Sequence, residues 1–283
     1  MELIPASEFS LEQLVEVYND TRADYLIPMP MTVEHLREYV RVYDVDLSAS
    51  VVAVEGKRLI GVCMVGLRGS RVWITRLGVI PTARRLGCAR AMLEHCLATA
   101  RACGARRAQL EVIADNEAGQ RLFRRAGFHA WRRLLVLCRP AGLPLPPAPP
   151  PDGVCEWLST DVALARTVSR PWAPAWTNEV CSLINAGGVR GLAVTEHITG
   201  RQGWVCFQRR GTRLERVIVG PDTTAPAPAY SLLYRLHEHF PECEAVAENV
   251  PASAPHLDAF FALGYAVAFA RVEMERLLNG NGG

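Results

Sequence analysis

The 283-residue chain has a single lysine, Lys57, and draws nearly all of its positive charge from arginine. With 31 basic against 29 acidic residues the formal charge is only +2, and the sequence pI is about 8.1. Such a balance lacks the electrostatic footprint of a nucleic-acid or anionic-membrane binder. No apolar run reaches the ~18 residues of a membrane-spanning helix, so no membrane association is expected. The nine cysteines are scattered, odd in number, and include no C-x-x-C pair. That argues against a disulfide scaffold or a zinc site and points to a reducing, cytoplasmic setting. The seven histidines show no metal-ligand grouping, so no metal is expected. Met1-Glu2-Leu3-Ile4-Pro5 runs straight into polar residues and does not read as a secretory leader.

What is present centres on Leu77–Arg90, Leu-Gly-Val-Ile-Pro-Thr-Ala-Arg-Arg-Leu-Gly-Cys-Ala-Arg. An apolar run stops at Pro81, two arginines and a glycine follow, and a helical pattern runs from about Leu86 to Cys103. The order strand, turn, helix puts the unpaired N–H groups of a helix N-terminus beside a glycine, which is a ready anion site. Gly87 lets a ligand approach the backbone, and Arg84, Arg85 and Arg90 supply charge suited to phosphate oxygens. Cys88 lies in the same turn, where a helix N-terminus lowers a thiol pKa; it is read as a bystander. Cys96 and Cys103, seven apart on the helix, are read as core thiols.

The flanking pattern is ordered. Leu3-Ile4-Pro5 suits a short edge strand. Ser10 with Gln13 forms a capping-box signature for a helix to about Ala23, and Thr32 caps a second helix from Val33 to Val42. Between them, Tyr25–Met31 carries two prolines and cannot be regular helix; it either covers a pocket or simply packs on a sheet. Val51–Val54, Leu59–Leu67 and Val72–Val79 read as an antiparallel meander. Ala108–Ile113, reached through a helix crossover, is expected to run parallel to the third of these strands. Asn116–Arg125 reads as a short helix and Trp131–Leu137 as a last strand. Open sheets bind ligands beyond the C-terminal strand ends at such a parallel step, which is where the arginine-glycine turn lies.

Arg139–Gly153 is dominated by proline and reads as an extended, semi-rigid linker. The expected organisation is therefore a domain over residues 1–138, a linker over 139–153 and a second domain over 154–283. The second half repeats the first more weakly. Val219-Gly220-Pro221 corresponds to Val79-Ile80-Pro81, and Gly264-Tyr265 to Gly127-Phe128. Thr224–Ala229 stands where Arg84–Ala89 stands, with both arginines and the glycine gone. Pro226 and Pro228 also lack the N–H groups a phosphate needs.

Three pieces of the first half resemble the GNAT superfamily of N-acetyltransferases. Arg84-Arg85-Leu86-Gly87-Cys88-Ala89 fits its R/Q-x-x-G-x-G/A loop. Asn116, Leu122-Phe123 and Gly127-Phe128 fit its N…L-Y…G-F segment, and the order of elements fits as well. The resemblance covers roughly residues 1–138 and makes the whole chain similar to tandem GNAT proteins with a degenerate second copy. The fold it implies is α/β, with an α+β mixed sheet. Each of two domains holds a mostly antiparallel twisted sheet with one parallel, splayed step, flanked by helices.

The function implied is acetyl transfer from acetyl-CoA to a primary amine, a small molecule or a peptide, by direct attack. Leu77, Gly78, Val79, Arg84, Arg85, Leu86, Gly87, Cys88, Ala89, Arg90, Asn116 and Phe123 become the cofactor-binding set. The Val79 N–H polarises the thioester carbonyl, and Glu111, in Leu110-Glu111-Val112, is the candidate general base. A solvated or salt-bridged strand-end glutamate is the plainer alternative for Glu111. Tyr25, Thr75 and Arg76 are candidates to face the acceptor, with Asn19 and Asp24 nearby; a plain surface arginine is the favoured reading of Arg76, and core or capping roles suit Asn19, Asp24 and Tyr25 as well. Phe123 departs from the family's tyrosine, which serves there as general acid. Tyr18, Tyr25 or solvent would have to supply that proton, or the domain is an acyl-CoA sensor with little turnover. A thiol-pathway enzyme similar to mycothiol synthase is a third reading. The second half is expected to shape the substrate site or to serve as a dimer contact.

Overall fold

The computed structural model describes residues 1–144, 149–222 and 225–278. Part of the proline-rich segment, residues 145–148, and Thr224 of the second-half turn lie outside the described residues. The strands are β1 (Glu2–Pro5), β2 (Val51–Glu55), β3 (Arg58–Arg68), β4 (Arg71–Val79), β5 (Arg107–Ile113), β6 (His129–Arg139), β7 (Gly153–Leu158), β8 (Val189–Glu196), β9 (Gln202–Arg210), β10 (Arg213–Pro221), β11 (Glu244–Pro251) and β12 (Ala266–Leu277). The helices are α1 (Leu11–Thr21), α2 (Val33–Val42), α3 (Cys88–Ala102), α4 (Glu117–Arg125), α5 (Thr160–Val168), α6 (Val180–Ala186), α7 (Ala229–His239) and α8 (Leu257–Ala262). No described helix is long and apolar enough to cross a membrane.

Packing divides the chain into two units. The first is Met1–Trp131 together with the stretch from Val272 onward; the second is Arg132–Arg271. The sequence reading put one boundary in the proline-rich stretch, whereas packing puts two boundaries inside strands. β6 and β12 are 11 and 12 residues long. β6 starts in the first unit and ends in the second, and β12 does the reverse.

In the first unit the strand order is β1-β2-β3-β4-β5-β12. β1 to β4 pair antiparallel, and β4 with β5 is the parallel step. Both faces of this sheet are covered, which is why β2 and β3 read as unbroken apolar runs. Val52, Val54, Val62 and Met64 pack with Leu14, Tyr18 and Leu36 of α1 and α2. Their alternates Val51, Ala53, Cys63 and Val65 pack with Met92, Leu93, Cys96 and Leu97 of α3, and with Phe123, Phe128, Met274 and Leu278. The helix starts follow the capping chemistry: Ser10 and Gln13 form the reciprocal box, and the Thr32 side chain accepts from the His35 N–H. α3 begins at Cys88, two residues later than the pattern suggested, because Arg85 and Gly87 take positive φ. Cys96 is buried as expected, but Cys103 is exposed at the C-cap.

In the second unit the order is β6-β11-β10-β9-β8-β7, with β10 and β11 parallel. β7 lay inside what reads as the linker's end and the start of the second domain. Four of its six residues are exposed, so it carries no alternation to read. Two histidines of this unit are held neutral by burial: His237, pushed down to about 3, and His256, pushed down to about 4. Unfolding frees each to take a proton below its ordinary pKa of 6.5. Their stabilising contribution is therefore complete above that value and is lost as pH falls toward 4. The expected slope is about 1.4 kcal/mol per pH unit for each histidine. Urea titrations of His256→Phe, whose ring replaces imidazole between Trp172 and Phe260, should show one histidine's slope removed. An unchanged slope would mean that His256 is protonated in the folded chain.

Candidate active site

β4 and β5 pair only at Arg71–Arg107, Val72–Ala108 and Trp73–Gln109, and beyond Trp73 the two strands part. A β-bulge helps to part them. The β4 register against β3 slips between the pairs Val62–Gly78 and Met64–Thr75, and Arg76 sits in the slip at φ +53°. Bulges bend a strand and raise its twist. The second unit carries the same device at Arg216, φ +54°, in the β10 slip between Glu215 and Ile218. Past the bulge, the Ile80 N–H donates to Ile60 O at 2.9 Å. Strand alternation therefore turns the Val79 N–H and C=O away from β3, toward the opening.

Gly78 brings α1 close: a Cβ there would lie 2.4 Å from Thr21 Oγ1. This approach lets two arginines span from helix to strand. Arg22 Nη2 donates to Leu77 O at 3.1 Å. Arg84 Nε donates to Val79 O at 3.0 Å, and its guanidinium makes a two-pronged ion pair with Asp24, 2.7 Å on each arm. Arg84 thus braces β4 against the end of α1 instead of standing ready for a phosphate. Asp24 is engaged by the same pair, and Arg84 holds its carboxyl below its usual pKa. Asn19 is likewise engaged, exchanging two hydrogen bonds with the Met31 backbone at 3.0 and 2.9 Å. The Leu77 and Val79 carbonyls are occupied by these arginines, a difference from the reading in which both residues offer main-chain groups to a ligand.

The turn before α3 is an open cradle. Arg85 at φ +66° and Gly87 at φ +84° wind it, and Gly87 is the N-cap with no side chain to satisfy the first-turn N–H groups of Cys88, Ala89 and Arg90. An added Cβ on Gly87 would meet nothing within 4 Å. The space above the turn is therefore open, and the residues fit a pyrophosphate held by backbone N–H groups and the helix dipole. Arg85 and Leu86 are exposed, while Arg90 is paired with Glu94 at 2.7 Å. Cys88 is buried, and burial raises its pKa. The counterpart α7 has Pro228 at its N-cap, with no side-chain cap.

Below the bulge the splay gathers an aromatic wall and two charged groups. Trp73 Nε1 donates to Glu111 Oε2 at 2.6 Å, so the candidate base is oriented by the strand it faces. Tyr39 OH shares a 2.5 Å hydrogen bond with Thr75 Oγ1. The Arg76 guanidinium lies 4.3 Å over the Tyr39 ring and donates to Tyr18 OH at 3.1 Å. Tyr43 completes the wall against Trp73, ring centroids 5.7 Å apart. Burial pushes the Tyr39 hydroxyl up to about 12, so it stays a neutral phenol. Sequence reasoning named Thr75, Arg76 and Glu111 but missed Tyr39, Tyr43 and Trp73. The i, i+4 spacing of Tyr39 and Tyr43, and the two-residue step from Trp73 to Thr75, were the available signals.

Asn116 caps α4, its Oδ1 accepting from the Gly119 N–H at 2.9 Å, and its Nδ2 reaches Tyr25 OH at 3.4 Å. Phe123, expected at the cofactor, is a core residue: 8% exposed, edge-on to Phe128 at 6.0 Å. Among the described residues no group of three or more His, Cys, Asp or Glu is placed to hold a metal.

Residues 12–128 match the sequence pattern of the acetyltransferase (GNAT) family. No curated protein matches the chain in sequence. Among solved structures, a GCN5-related N-acetyltransferase from Sphaerobacter thermophilus superposes with a TM-score of 0.72 at 14% identity, covering 98% of this chain and 94% of the other. A tandem GNAT protein from the clavulanic acid biosynthesis pathway gives 0.65 at 16% identity, with 99% of each chain covered. A GCN5-related N-acetyltransferase from Kribbella flavida gives 0.58 at 13% identity, over 98% and 71% of the two chains. At such identities the likeness is one of fold.

Proposed function

We propose that the first unit, whose residues 12–128 match the GNAT family in a chain that superposes on a tandem GNAT protein, transfers an acetyl group from acetyl-CoA to a primary amine. The observation that carries this reading is the splay itself, with a glycine-wound helix N-terminus at one end and the Trp73-held Glu111 at the other. Acetyl-CoA supplies an activated acyl thioester. The N–H groups of Cys88, Ala89 and Arg90 hold its pyrophosphate. The Val79 N–H, fixed by the bulge before it, donates to the oxyanion that develops on the acyl carbonyl. Glu111 takes a proton from the attacking amine, directly or through one water. Thr75 and Arg76 border the acceptor's path, and the guanidinium over Tyr39 favours an acceptor that carries a negative group.

Titration calorimetry with acetyl-CoA, followed by thiol release over a panel of amines, tests the reading. Gly87→Trp places an indole in the open space over the cradle, and its affinity for acetyl-CoA should fall about 100-fold or more, the cost of roughly two lost backbone hydrogen bonds to a charged group. Unchanged affinity in a folded Gly87→Trp protein would move the cofactor site elsewhere. The burial of Phe123, which has no proton to give, favours a second reading, an acyl-CoA sensor. Tight binding without thiol release from any amine would select it.

A further inference from the structure

Amine attack on a thioester leaves a thiolate that needs a proton, and Phe123 cannot give one. We propose that Tyr25, in the connection between α1 and α2, is the proton donor to the departing sulfur. This rests on the acetyl-transfer reading above.

Three contacts place the phenol. Asn116 Nδ2 lies 3.4 Å from the Tyr25 oxygen, at the point where β5 has ended and α4 begins. The Arg22 guanidinium sits 4.3 Å from the centroid of the Tyr25 ring. The same guanidinium donates to Leu77 O at 3.1 Å, on the parted stretch of β4. Tyr25 is thus tied through Arg22 to Leu77 of β4 and directly to Asn116, the N-cap of α4, three residues past the end of β5. The surroundings suit a donor. Asn116 gives a hydrogen bond to the phenol oxygen, which leaves the phenol's own proton free to point elsewhere. Tyr25 is half-buried, so solvent reaches it to restore the proton.

The neighbouring phenols are worse placed. Tyr18 is 1% exposed, so solvent does not reach it to restore a donated proton. Tyr39 shares its hydroxyl with Thr75, and burial pushes its pKa up to about 12.

The step balances. The amine nitrogen bonds to the acyl carbon and loses one proton to Glu111. The carbon–sulfur bond breaks, its electron pair leaves on sulfur, and sulfur takes the Tyr25 proton. Water returns a proton from Glu111 to the phenolate, so the products are the amide and the free thiol.

Tyr25→Phe should lower kcat about 10- to 100-fold, within the range of general acid catalysis, and should remove the limb of the kcat profile that falls at high pH. Its affinity for CoA should drop roughly 3- to 10-fold, the loss of one hydrogen bond, while affinity for desulfo-CoA, which has no sulfur to meet, stays as in the parent protein. Replacing Tyr25 by 3,5-difluorotyrosine keeps the ring and makes the phenol more acidic, so the alkaline limb should move to lower pH. A Tyr25→Phe protein with parental kcat and limb overturns the assignment. So does equal weakening of CoA and desulfo-CoA, which is the mark of a residue that only shapes the site, or a limb unmoved by fluorination. A parent protein that neither binds acetyl-CoA nor releases thiol overturns the acetyl-transfer reading itself, a separate result.

Discussion

A chain ending at Arg271 is expected to lose the fold of the first unit, although it keeps every residue from 1 to 131. The stretch that follows supplies the strand beside β5. Met274 and Leu278 are 0% and 2% exposed, inside the cluster that holds Met92, Leu93, Leu110, Phe123 and Phe128. The Leu278 N–H donates to Arg106 O at 2.7 Å, Glu275 pairs with Arg107 and His129, and Arg276 donates to Ala126 O. Truncating one buried Met or Leu to alanine costs about 2–5 kcal/mol. Removing both, with the edge of β5 laid open, approaches the whole 5–15 kcal/mol by which domains are stable. Loss of acetyl-CoA binding and of amide-exchange protection in α3 and β5 would report it. Joining residues 272–283 to residue 131 through a flexible linker should restore both. Met274→Ala is the milder version and should lower the urea midpoint of the first unit by the equivalent of about 2–5 kcal/mol. If the shortened chain kept its protection and its affinity, β12 would be an ornament to the first unit.

That dependence marks where the sequence stopped being informative. Local chemistry was legible: the Ser10–Gln13 box and the Thr32 cap are set by residues three apart, and both appear. So was the parallel step, because a helix crossover of the length of α3 leaves little alternative. Partner choice was not. Leu134–Leu137 of β6 and the alternating Val272 and Met274 of β12 both read as strand with a buried face, and that pattern says which face is buried without saying which neighbour is paired. The break at Arg139–Gly153 reads as a boundary because proline ends a strand, yet the strand before it had already passed into the second unit. At the site, the glycine cradle was legible because only glycine and a few polar residues accept φ near +84°. The bracing role of Arg84 was not, since its partner Asp24 stands 60 residues away. The bulge at Arg76 was hidden too, because a non-glycine residue at positive φ leaves no mark in composition.

Replacing Glu111 by glutamine should cost the most of any change that leaves the fold intact. Glutamine keeps an oxygen to accept from Trp73 Nε1, so the 2.6 Å contact and the shape of the strand can persist. What disappears is the ability to take a proton. Positioned general bases contribute about 10²- to 10⁴-fold, and the loss should appear in kcat with acetyl-CoA affinity unchanged, since the cradle at Gly87 lies at the other end of the splay. Trp73→Phe should cost less. It removes one hydrogen bond to a charged group, worth about 1.5–3 kcal/mol, and leaves a carboxylate that is present but less well oriented, so a loss of about 10- to 100-fold is expected. The indole acts only through the carboxylate it holds. The double variant should therefore be no slower than Glu111→Gln alone, a non-additivity that two independent roles would not produce. Additive losses would place Trp73 against the acceptor in its own right. A Glu111→Gln protein within a few-fold of the parent in kcat would return Glu111 to the plainer role of a strand-end carboxylate, with solvent as the base.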